Sequence, residues 1–150
     1  SDLDKDIFLI SDYELNNNET SYTYNTLKHF NNFYHPQELF FLVGSDIFAT
    51  IETWHKWDKL FELSNFIIVN RPNHPFSKMI KEIPELLREK IVDSKDFIFG
   101  MTNKIILTKI KEVPISSTQI RESIKTGFYK DFLDEKVYKY IIENRLYQEV

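Results

Sequence analysis

The sequence contains no cysteine among its 150 residues. This absence excludes disulfides, cysteine-ligated zinc sites and thiol nucleophiles within these residues. It leaves the redox compartment open, although it agrees with the cytoplasmic location that we expect.

Long apolar runs and basic blocks are missing as well. The longest unbroken apolar run covers residues 39–43, far short of the roughly 20 residues that cross a bilayer. The first four residues, Ser1-Asp2-Leu3-Asp4, lack the charged-then-apolar pattern of a secretory signal. The formal charge is −4 at pH 7, without a basic cluster. We therefore expect neither a membrane nor a nucleic acid as a partner.

Glycine is scarce. Only Gly44, Gly100 and Gly127 occur, so neither glycine-rich phosphate-binding motif, G-x-G-x-x-G or G-x-x-x-x-G-K-[ST], is present in these residues. A phosphate site in this chain must therefore be built from other groups.

Along the chain, segments with a strand pattern alternate with segments with a helix pattern, which is typical of an α/β fold. Hydrophobic residues make up 42% of the chain, enough for one globular domain over residues 1–150. Apolar runs at 39–43 and 66–69 predict strands buried on both faces, the first of them central in a parallel sheet. Apolar residues at three- and four-residue steps predict one helix between these strands, completing a βαβ unit: Trp54, Trp57, Leu60, Phe61 and Leu63.

Other segments extend this pattern. Apolar runs at 7–10, 97–99 and 105–107 predict further strands, and Leu27 with Phe30 predicts a helix that ends before Pro36. We interpret residues 73–96 as a peripheral insertion with one amphipathic helix, whose apolar stripe is Met79, Ile80, Ile83, Leu86, Leu87 and Ile91. Two helices follow: one runs from Ser116 to Gly127 with Ile120 and Ile124 facing inward, and one is capped by Asp134 and carries Val137, Tyr140 and Ile141.

Polar residues follow both predicted buried strands, where ligands bind in open α/β sheets. Gly44 permits close backbone approach, and Asp46 offers a carboxylate to a ribose hydroxyl, although a helix-capping role explains Asp46 equally well. Arg71 follows the second strand, and it either meets an anionic ligand or lies on the surface.

A third cluster is the segment I-S-S-T-Q-I-R at residues 115–121. Ser116 and Gln119 fit the S-x-x-Q capping box, which predicts a helix start. Backbone N–H groups and the hydroxyls of Ser116, Ser117 and Thr118 would attract an anion there, and Arg121 would add a charged contact to a phosphate. The alternative is an ordinary capped helix with a solvated arginine, which is the commoner arrangement for an isolated S-S-T.

Aromatic and imidazole side chains carry weaker signals. Trp54 comes early in its predicted helix, where a flat face could stack on a heterocycle, yet Trp54 and Trp57 at this spacing are more often core residues. The histidines occur at no paired spacing, so they predict neither a metal site nor a nucleophile–base pair: His29, His35, His55 and His74.

Taken in order along the chain, these clusters resemble nicotinate-nucleotide adenylyltransferase. The resemblance runs from about Asp12 to Tyr147 and is weakest in residues 73–96. The segments that carry it are S-Y-T at 21–23, the strand and G-S-D ending at 46, T-W-H-K-W at 53–57, R-P at 71–72, I-S-S-T-Q-I-R at 115–121, and Tyr140-Ile141 with Leu146-Tyr147.

The resemblance implies a Rossmann-like nucleotidyltransferase fold with a parallel sheet and C-terminal helices. It implies that the nicotinate ring is held by Tyr22, Thr23, Trp54 and His55. It also implies an ATP-binding set of Gly44, Asp46, Arg71, Ser116, Ser117, Thr118 and Arg121, with Ser117 and Arg121 as the catalytic residues.

The implied reaction is adenylyl transfer from ATP to nicotinate mononucleotide, which yields the dinucleotide of NAD biosynthesis and pyrophosphate. Arg121 would neutralise charge on the leaving pyrophosphate, because positioning and charge stabilisation dominate such reactions. Mg²⁺ would be bound through the substrate phosphates, without protein metal ligands. The preference for the acid or the amide of the mononucleotide stays open, as does the oligomeric state.

The sequence also departs from the family. Members carry a G-G-x-F-D-P turn and an H-x-G-H motif near their beginning, and neither occurs here. We therefore interpret the chain as the C-terminal portion of a longer enzyme and expect it not to catalyse alone. The remaining alternatives are another adenylyl- or cytidylyltransferase, a non-catalytic nucleotide-binding module, and a plain α/β structural domain.

Overall fold

A computed structural model of the protein describes residues 8–16, 20–111, 115–126 and 132–147. The chain divides into two compact units, one formed by Ile10–Glu112 and the other by Ser1–Leu9 with Val113–Val150. Within the described residues, the first unit contains a four-stranded sheet with helices, and the second contains helices. The prediction of one domain over residues 1–150 stays a prediction. Across the described ranges, every helix is too short or too polar to serve as a membrane span.

The sheet of the first unit is parallel throughout. Its strands are β1 (Phe40–Gly44), β2 (Asn65–Val69), β3 (Ile91–Asp93) and β4 (Ile105–Thr108), in the spatial order β1-β2-β4-β3. Gly44 pairs with Val69, and Val69 pairs with Thr108, so β1, β2 and β4 end at the same level. This alignment confirms the predicted βαβ unit and brings the polar residues after each strand to one edge of the sheet.

The position of β1 differs from its prediction. Among the described strands β1 pairs with β2 alone, so it lies at an edge of the sheet rather than at its centre. Leu42 is 65% exposed, although it belongs to the continuous apolar run that predicted burial on both faces. A continuous apolar run indicates that a strand tends to be buried. It does not show which other strands or helices lie against each side of that strand.

The connection between β1 and β2 is a chain of short helical pieces rather than one helix. It consists of α2 (Ser45–Phe48), 3₁₀ turns at Ile51–Thr53 and Trp57–Lys59, and α3 (Leu60–Leu63). Lys56 has a left-handed backbone with φ 52°, which no α-helix accommodates, and Trp54 lies in an extended link. The apolar spacing of this segment therefore reflects contact with one core, not a continuous helix.

The core of the first unit packs between the sheet and these helices. Phe48, Phe61 and Phe66 meet with ring centroids 4.9 to 6.4 Å apart. The predicted helix around Leu27 is confirmed as α1 (Thr23–Phe30), and Leu27 is buried. The remaining members of the buried cluster are Ile51, Leu60, Ile68, Met79, Ile83, Leu87 and Ile105.

Residues 73–96 contain more structure than the single predicted helix. They form α4 (Phe76–Glu82), α5 (Glu85–Arg88) and the strand β3. The two helices are separated at Pro84, because proline lacks the backbone N–H that a continuous helix requires. The segment supplies Met79, Ile83 and Leu87 to the core, while Leu86 is 57% exposed. Its status as an insertion stays a prediction.

Three further strand predictions have mixed outcomes. Residues 105–107 are confirmed as part of β4. Residues 97–99 are not a strand, and the rings of Phe97 and Phe99 instead contact Phe40 edge-on. Residues 8–10 are exposed and lie outside any strand, and Ile7 falls outside the described residues.

The second unit contains α6 (Ser117–Ser123), a 3₁₀ turn at Ile124–Thr126, and α7 (Glu135–Glu143). In α6 and its turn, Ile124 is buried as predicted, whereas Ile120 is half-buried. The predicted last helix is confirmed as α7; within it Ile141 is buried, whereas Val137 and Tyr140 are exposed. The predicted end of the first helix at Gly127 lies outside the described residues.

Candidate functional site

Asp46 and Arg71 lie beside each other at the carboxyl-end edge of the sheet. Oδ1 of Asp46 is 3.8 Å from Nε of Arg71, and both side chains are about half exposed. Asp46 belongs to α2, directly after β1, and Arg71 lies two residues after the end of β2. The strand alignment therefore brings two predicted ATP-binding residues into one carboxylate–guanidinium pair that a ligand can reach.

Gly44 allows this pair to form. A β-carbon at residue 44 would lie 2.5 Å from Oδ1 of Asp46 and 2.7 Å from Nε of Arg71, closer than side-chain atoms approach. The backbone at Gly44 is extended, with φ −74° and ψ 150°, so the glycine is required for space rather than for backbone conformation.

A cleft of about 660 Å³ opens next to Arg71, within the size range of small-molecule sites. It contains two cationic side chains, Arg71 and Lys109, and no carboxylate among the described residues that line it. The N–H of Ile110 donates to Oδ1 of Asn70 at 2.7 Å, which joins the ends of β2 and β4 across the cleft. The described residues that line it are Asn70, Arg71, Pro72, Pro75, Phe76, Ser77, Lys109 and Ile110.

The predicted nicotinate-binding residues form an aromatic group at the start of α1. The ring of Tyr22 stacks on the imidazole of His55, with centroids 4.4 Å apart and planes at 27°. Tyr24 contacts His55 edge-on, and Nζ of Lys56 lies 4.6 Å from the Tyr24 ring centroid. Thr23, the remaining predicted member from this segment, is the first residue of α1 and is half-buried.

Trp54 is neither sealed in the core nor fully exposed. Its ring meets Phe41 edge-on at 6.0 Å, and its indole N–H donates to Oγ1 of Thr50 at 3.4 Å. The side chain is half-buried against the core, so part of the indole remains accessible. Its neighbour Trp57 is likewise half-buried against the core.

The predicted phosphate-binding segment belongs to the second unit. The N–H of Gln119 donates to Oγ of Ser116 at 3.2 Å, and the N–H of Ser116 donates to Oε1 of Gln119 at 2.8 Å. This confirms the predicted capping box and the start of α6 at Ser117. Ser116, Ser117 and Thr118 are exposed.

Arg121, the predicted catalytic arginine, has a contact of its own within the second unit. Its guanidinium carbon lies 5.9 Å from the ring centroid of Tyr147, at cation–π distance. The side chain is exposed, which leaves its N–H donors open to an anionic ligand.

The part of the chain that the structure describes contains no cluster of three His, Cys, Asp or Glu side chains that could hold a metal ion. The imidazole of His74 is instead paired with Glu82, with Nε2 2.6 Å from Oε2.

Sequence reasoning missed two polar residues at this edge of the sheet. Lys109 follows β4 directly and lines the cleft, so the rule that identified Asp46 and Arg71 would have found it once β4 was treated as a third strand. Ser45 stands between Gly44 and Asp46 and is fully buried, and its role depends on hydrogen bonds that no sequence pattern reveals.

Residues 2–123 match the model of the cytidylyltransferase-like family. This chain belongs to that family. The parallel sheet and its helices are therefore a nucleotidyltransferase fold, as the sequence predicted.

Similar curated proteins are named for one activity. A probable nicotinate-nucleotide adenylyltransferase of Clostridium botulinum strain Alaska E43 is 38% identical over 143 residues, covering 95% of this chain and 65% of that protein. The corresponding protein of strain Okra is 34% identical over 142 residues, covering 94% of this chain and 66% of that protein. The chain thus spans just under two thirds of the length of these curated relatives.

The chain is also similar to solved structures of an adenylyltransferase. The nicotinic acid mononucleotide adenylyltransferase of Plasmodium falciparum, complexed with NaAD, matches with a TM-score of 0.59 and 25% identity. The match covers 87% of this chain and 59% of that one. A structure of the same enzyme complexed with APC matches with the same TM-score and identity.

Proposed function

We propose that the protein containing this chain transfers the adenylyl group of ATP to nicotinate mononucleotide, releasing nicotinate adenine dinucleotide and pyrophosphate. The observation that carries this proposal is the 38% identity to a probable nicotinate-nucleotide adenylyltransferase along 95% of the chain. The activity belongs to NAD biosynthesis, and we assign it to the cytoplasm.

In the proposed reaction, a phosphate oxygen of the mononucleotide attacks the α-phosphorus of ATP. A new P–O bond forms there, the bond from the α-phosphorus to the bridging oxygen breaks, and pyrophosphate leaves with that oxygen. The protein has little covalent chemistry to perform, so its task is to orient the two nucleotides and to stabilise negative charge.

We assign ATP binding to two groups of residues. Gly44, Asp46 and Arg71 form the first group, at the carboxyl-end edge of the sheet, where Lys109 adds a second cation to the cleft. The second group is the exposed start of α6, where Ser117 and Arg121 act as catalytic residues on the leaving pyrophosphate, together with Ser116 and Thr118. Guanidinium groups suit this task because they offer several N–H donors and stay charged at all physiological pH values.

We assign the pyridine ring to the aromatic group at the start of α1. The stacked pair Tyr22 and His55, with Thr23 beside it and Trp54 half-buried nearby in sequence, offers flat surfaces for a heterocycle. Backbone N–H groups can meet the negative charge of the nicotinate carboxylate there without a dedicated cation.

Magnesium fits this assignment as a companion of the phosphates. The Asp46 carboxylate, at the edge of the sheet, already faces Arg71 at 3.8 Å, which makes it a poor sole ligand for a divalent cation. We therefore propose that ATP carries Mg²⁺ into the site, where the ion supplies charge neutralisation of the phosphates.

The test is a transfer assay on the full-length protein with matched donors and acceptors. ATP with nicotinate mononucleotide should yield the dinucleotide and pyrophosphate in equal amounts. CTP in place of ATP should give little product. Replacing nicotinate mononucleotide by nicotinamide mononucleotide measures the preference of the enzyme between the acid and the amide form of the acceptor. Transfer from CTP to another phosphate acceptor, with none to a pyridine mononucleotide, would favour the family's cytidylyl chemistry instead.

Two substitutions separate the pyridine assignment from the wider family. Trp54→Ala should raise KM for nicotinate mononucleotide, whereas Arg121→Ala should abolish use of ATP. If Trp54→Ala leaves that KM unchanged while Arg121→Ala abolishes ATP use, the pyridine assignment fails and the nucleotidyltransferase assignment stands. Calorimetric binding of both nucleotides without turnover would identify a non-catalytic binding module.

A further inference from the structure

The hydroxyl group of Ser45 connects the ends of β1 and β2. Ser45 is fully buried and stands between Gly44 and Asp46. Its Oγ donates to the backbone carbonyl of His74 at 2.5 Å and accepts from the backbone N–H of Arg71 at 3.2 Å. One side chain thus satisfies a donor and an acceptor of a segment 26 to 29 residues away.

The two partners of Ser45 are the ends of one tight turn. The N–H of His74 donates to the carbonyl of Arg71 at 3.0 Å, which closes the four-residue turn 71–74. Ser45 therefore holds the turn at its first and its last residue. Both bonds depend on a hydroxyl, because only a group that donates and accepts can serve both ends at once.

A second contact fixes the opposite side of the same turn. Nε2 of His74 lies 2.6 Å from Oε2 of Glu82, the last residue of α4. The turn is thus attached to the end of β1 through Ser45 and to α4 through His74. These attachments restrict how far the backbone of Arg71 can move.

The position of the Arg71 side chain follows from this arrangement. Its Nε meets Oδ1 of Asp46 at 3.8 Å, and Asp46 is the residue directly after Ser45. Ser45 therefore sets the separation between the backbones that carry the two side chains. We propose that Ser45 is a positioning residue that aligns Arg71 with Asp46 for ATP binding, an inference that rests on the proposed function.

The first test is Ser45→Ala in the full-length protein. The substitution leaves the Arg71 N–H and the His74 carbonyl without this partner, so the turn loosens. We expect KM for ATP to rise roughly ten-fold while KM for nicotinate mononucleotide changes less than about two-fold. Amide hydrogen exchange of residues 71–74 should become faster, whereas exchange within β2 should not.

Ser64 provides a matched control. It is also fully buried in the first unit, but its Oγ has no hydrogen-bond partner in the described part of the chain. Ser64→Ala removes the same atom from an equally buried serine. We expect it to leave KM for ATP and the exchange of residues 71–74 unchanged.

A double-mutant cycle with Arg71→Ala distinguishes positioning from a general structural role. If Ser45 acts through Arg71, Ser45→Ala should change KM for ATP far less in the Arg71→Ala background than in the wild type. An equal effect in both backgrounds, or an equal rise of both KM values, would overturn the positioning role.

ATP affinity measured by calorimetry without the second substrate separates this inference from the proposed function. A wild type that binds ATP but transfers nothing to a pyridine mononucleotide overturns the proposed function. Weaker ATP binding by Ser45→Ala in that same protein would still support the role of Ser45. An ATP affinity and an exchange rate in Ser45→Ala that equal those of the wild type overturn the inference about Ser45, whatever the acceptor.

Discussion

Asp46 and Arg71 approach each other across the space that a side chain at residue 44 would occupy. Their atoms Oδ1 and Nε are 3.8 Å apart, and both lie within 2.7 Å of the point where a β-carbon of residue 44 would stand. The three residues come together because β1 and β2 are parallel and Gly44 is in register with Val69. A pair of charges in the proposed ATP site therefore depends on one missing methyl group.

Gly44→Ala should damage ATP binding more than folding. The new methyl group displaces the carboxylate of Asp46 and the side chain of Arg71 near Nε, both of which are half exposed, and the extended backbone at residue 44 accepts alanine. We expect KM for ATP to rise by about ten-fold or more, since the carboxylate–guanidinium geometry changes. The thermal midpoint should move by less than about 3 °C, because no buried backbone is displaced. Steady-state kinetics and a thermal melt check both values.

Gly100 is the control with the opposite properties. Its φ is +100°, a conformation that alanine adopts with strain, and nothing lies within 4 Å of a β-carbon built there. Gly100→Ala should cost on the order of 1 kcal/mol of stability and leave both KM values unchanged. The interpretation of Gly44 is wrong if Gly44→Ala destabilises the fold more than Gly100→Ala while retaining wild-type kinetics.

Lys109 should contribute to ATP binding through its charge. It lines the cleft together with Arg71, and no ion pair joins it to another residue in the described ranges. Lys109→Gln should raise KM for ATP roughly three- to ten-fold at low salt and by less at high salt, because exposed charges are screened. KM measured at two ionic strengths tests this expectation.

Lys111→Gln is the matched control for Lys109. Lys111 is exposed and close in sequence, but it does not line the cleft. Equal effects of the two substitutions at both ionic strengths would mean that the overall charge of the protein, rather than the cleft, attracts ATP.

The strand ends of the site were predictable from the sequence. Apolar runs fixed β1 and β2 to within one residue, and the rule that ligands bind beyond the carboxyl ends then selected Asp46 and Arg71. The 3.8 Å contact between those two residues was not predictable, since it depends on the register of two strands separated by a 20-residue connection. The hydrogen bonds of Ser45 could not be predicted either, because they also depend on the register of these two strands.

The connection between β1 and β2 shows where periodicity misleads. Trp54 and Trp57 have helical spacing, yet a left-handed Lys56 separates them. Both side chains pack partly against the core. The helical spacing arises from this shared contact with the core. Periodicity identifies which residues face the core, but it does not report whether the backbone between them is one helix.

Met79 and Leu86 test the observed packing of residues 73–96. Both belong to the stripe that predicted a single helix, but Met79 is fully buried, whereas Leu86 is 57% exposed. Met79→Ala should reduce the free energy of unfolding by about 2–5 kcal/mol because it opens a cavity in the core. Leu86→Ala should change it by less than about 0.5 kcal/mol. Urea titrations give both values, and equal effects would contradict the different burial of Met79 and Leu86.

Asp134 should make the stability of the second unit depend on pH. Its carboxylate accepts the N–H of Lys136 at 2.9 Å at the start of α7, and this hydrogen bond lowers the pKa of Asp134 below its usual value. A group whose pKa is lowered on folding stabilises the fold above its unfolded-state pKa, and this contribution is lost as the pH falls through the lowered pKa. Asparagine caps a helix without titrating, so Asp134→Asn serves as the reference. Urea titrations should show that the unfolding free energy of the wild type, relative to Asp134→Asn, declines as the pH is lowered below the usual aspartate pKa. A difference that stays constant from neutral pH into that acidic range would mean that the charge of the cap does not contribute to the stability of α7.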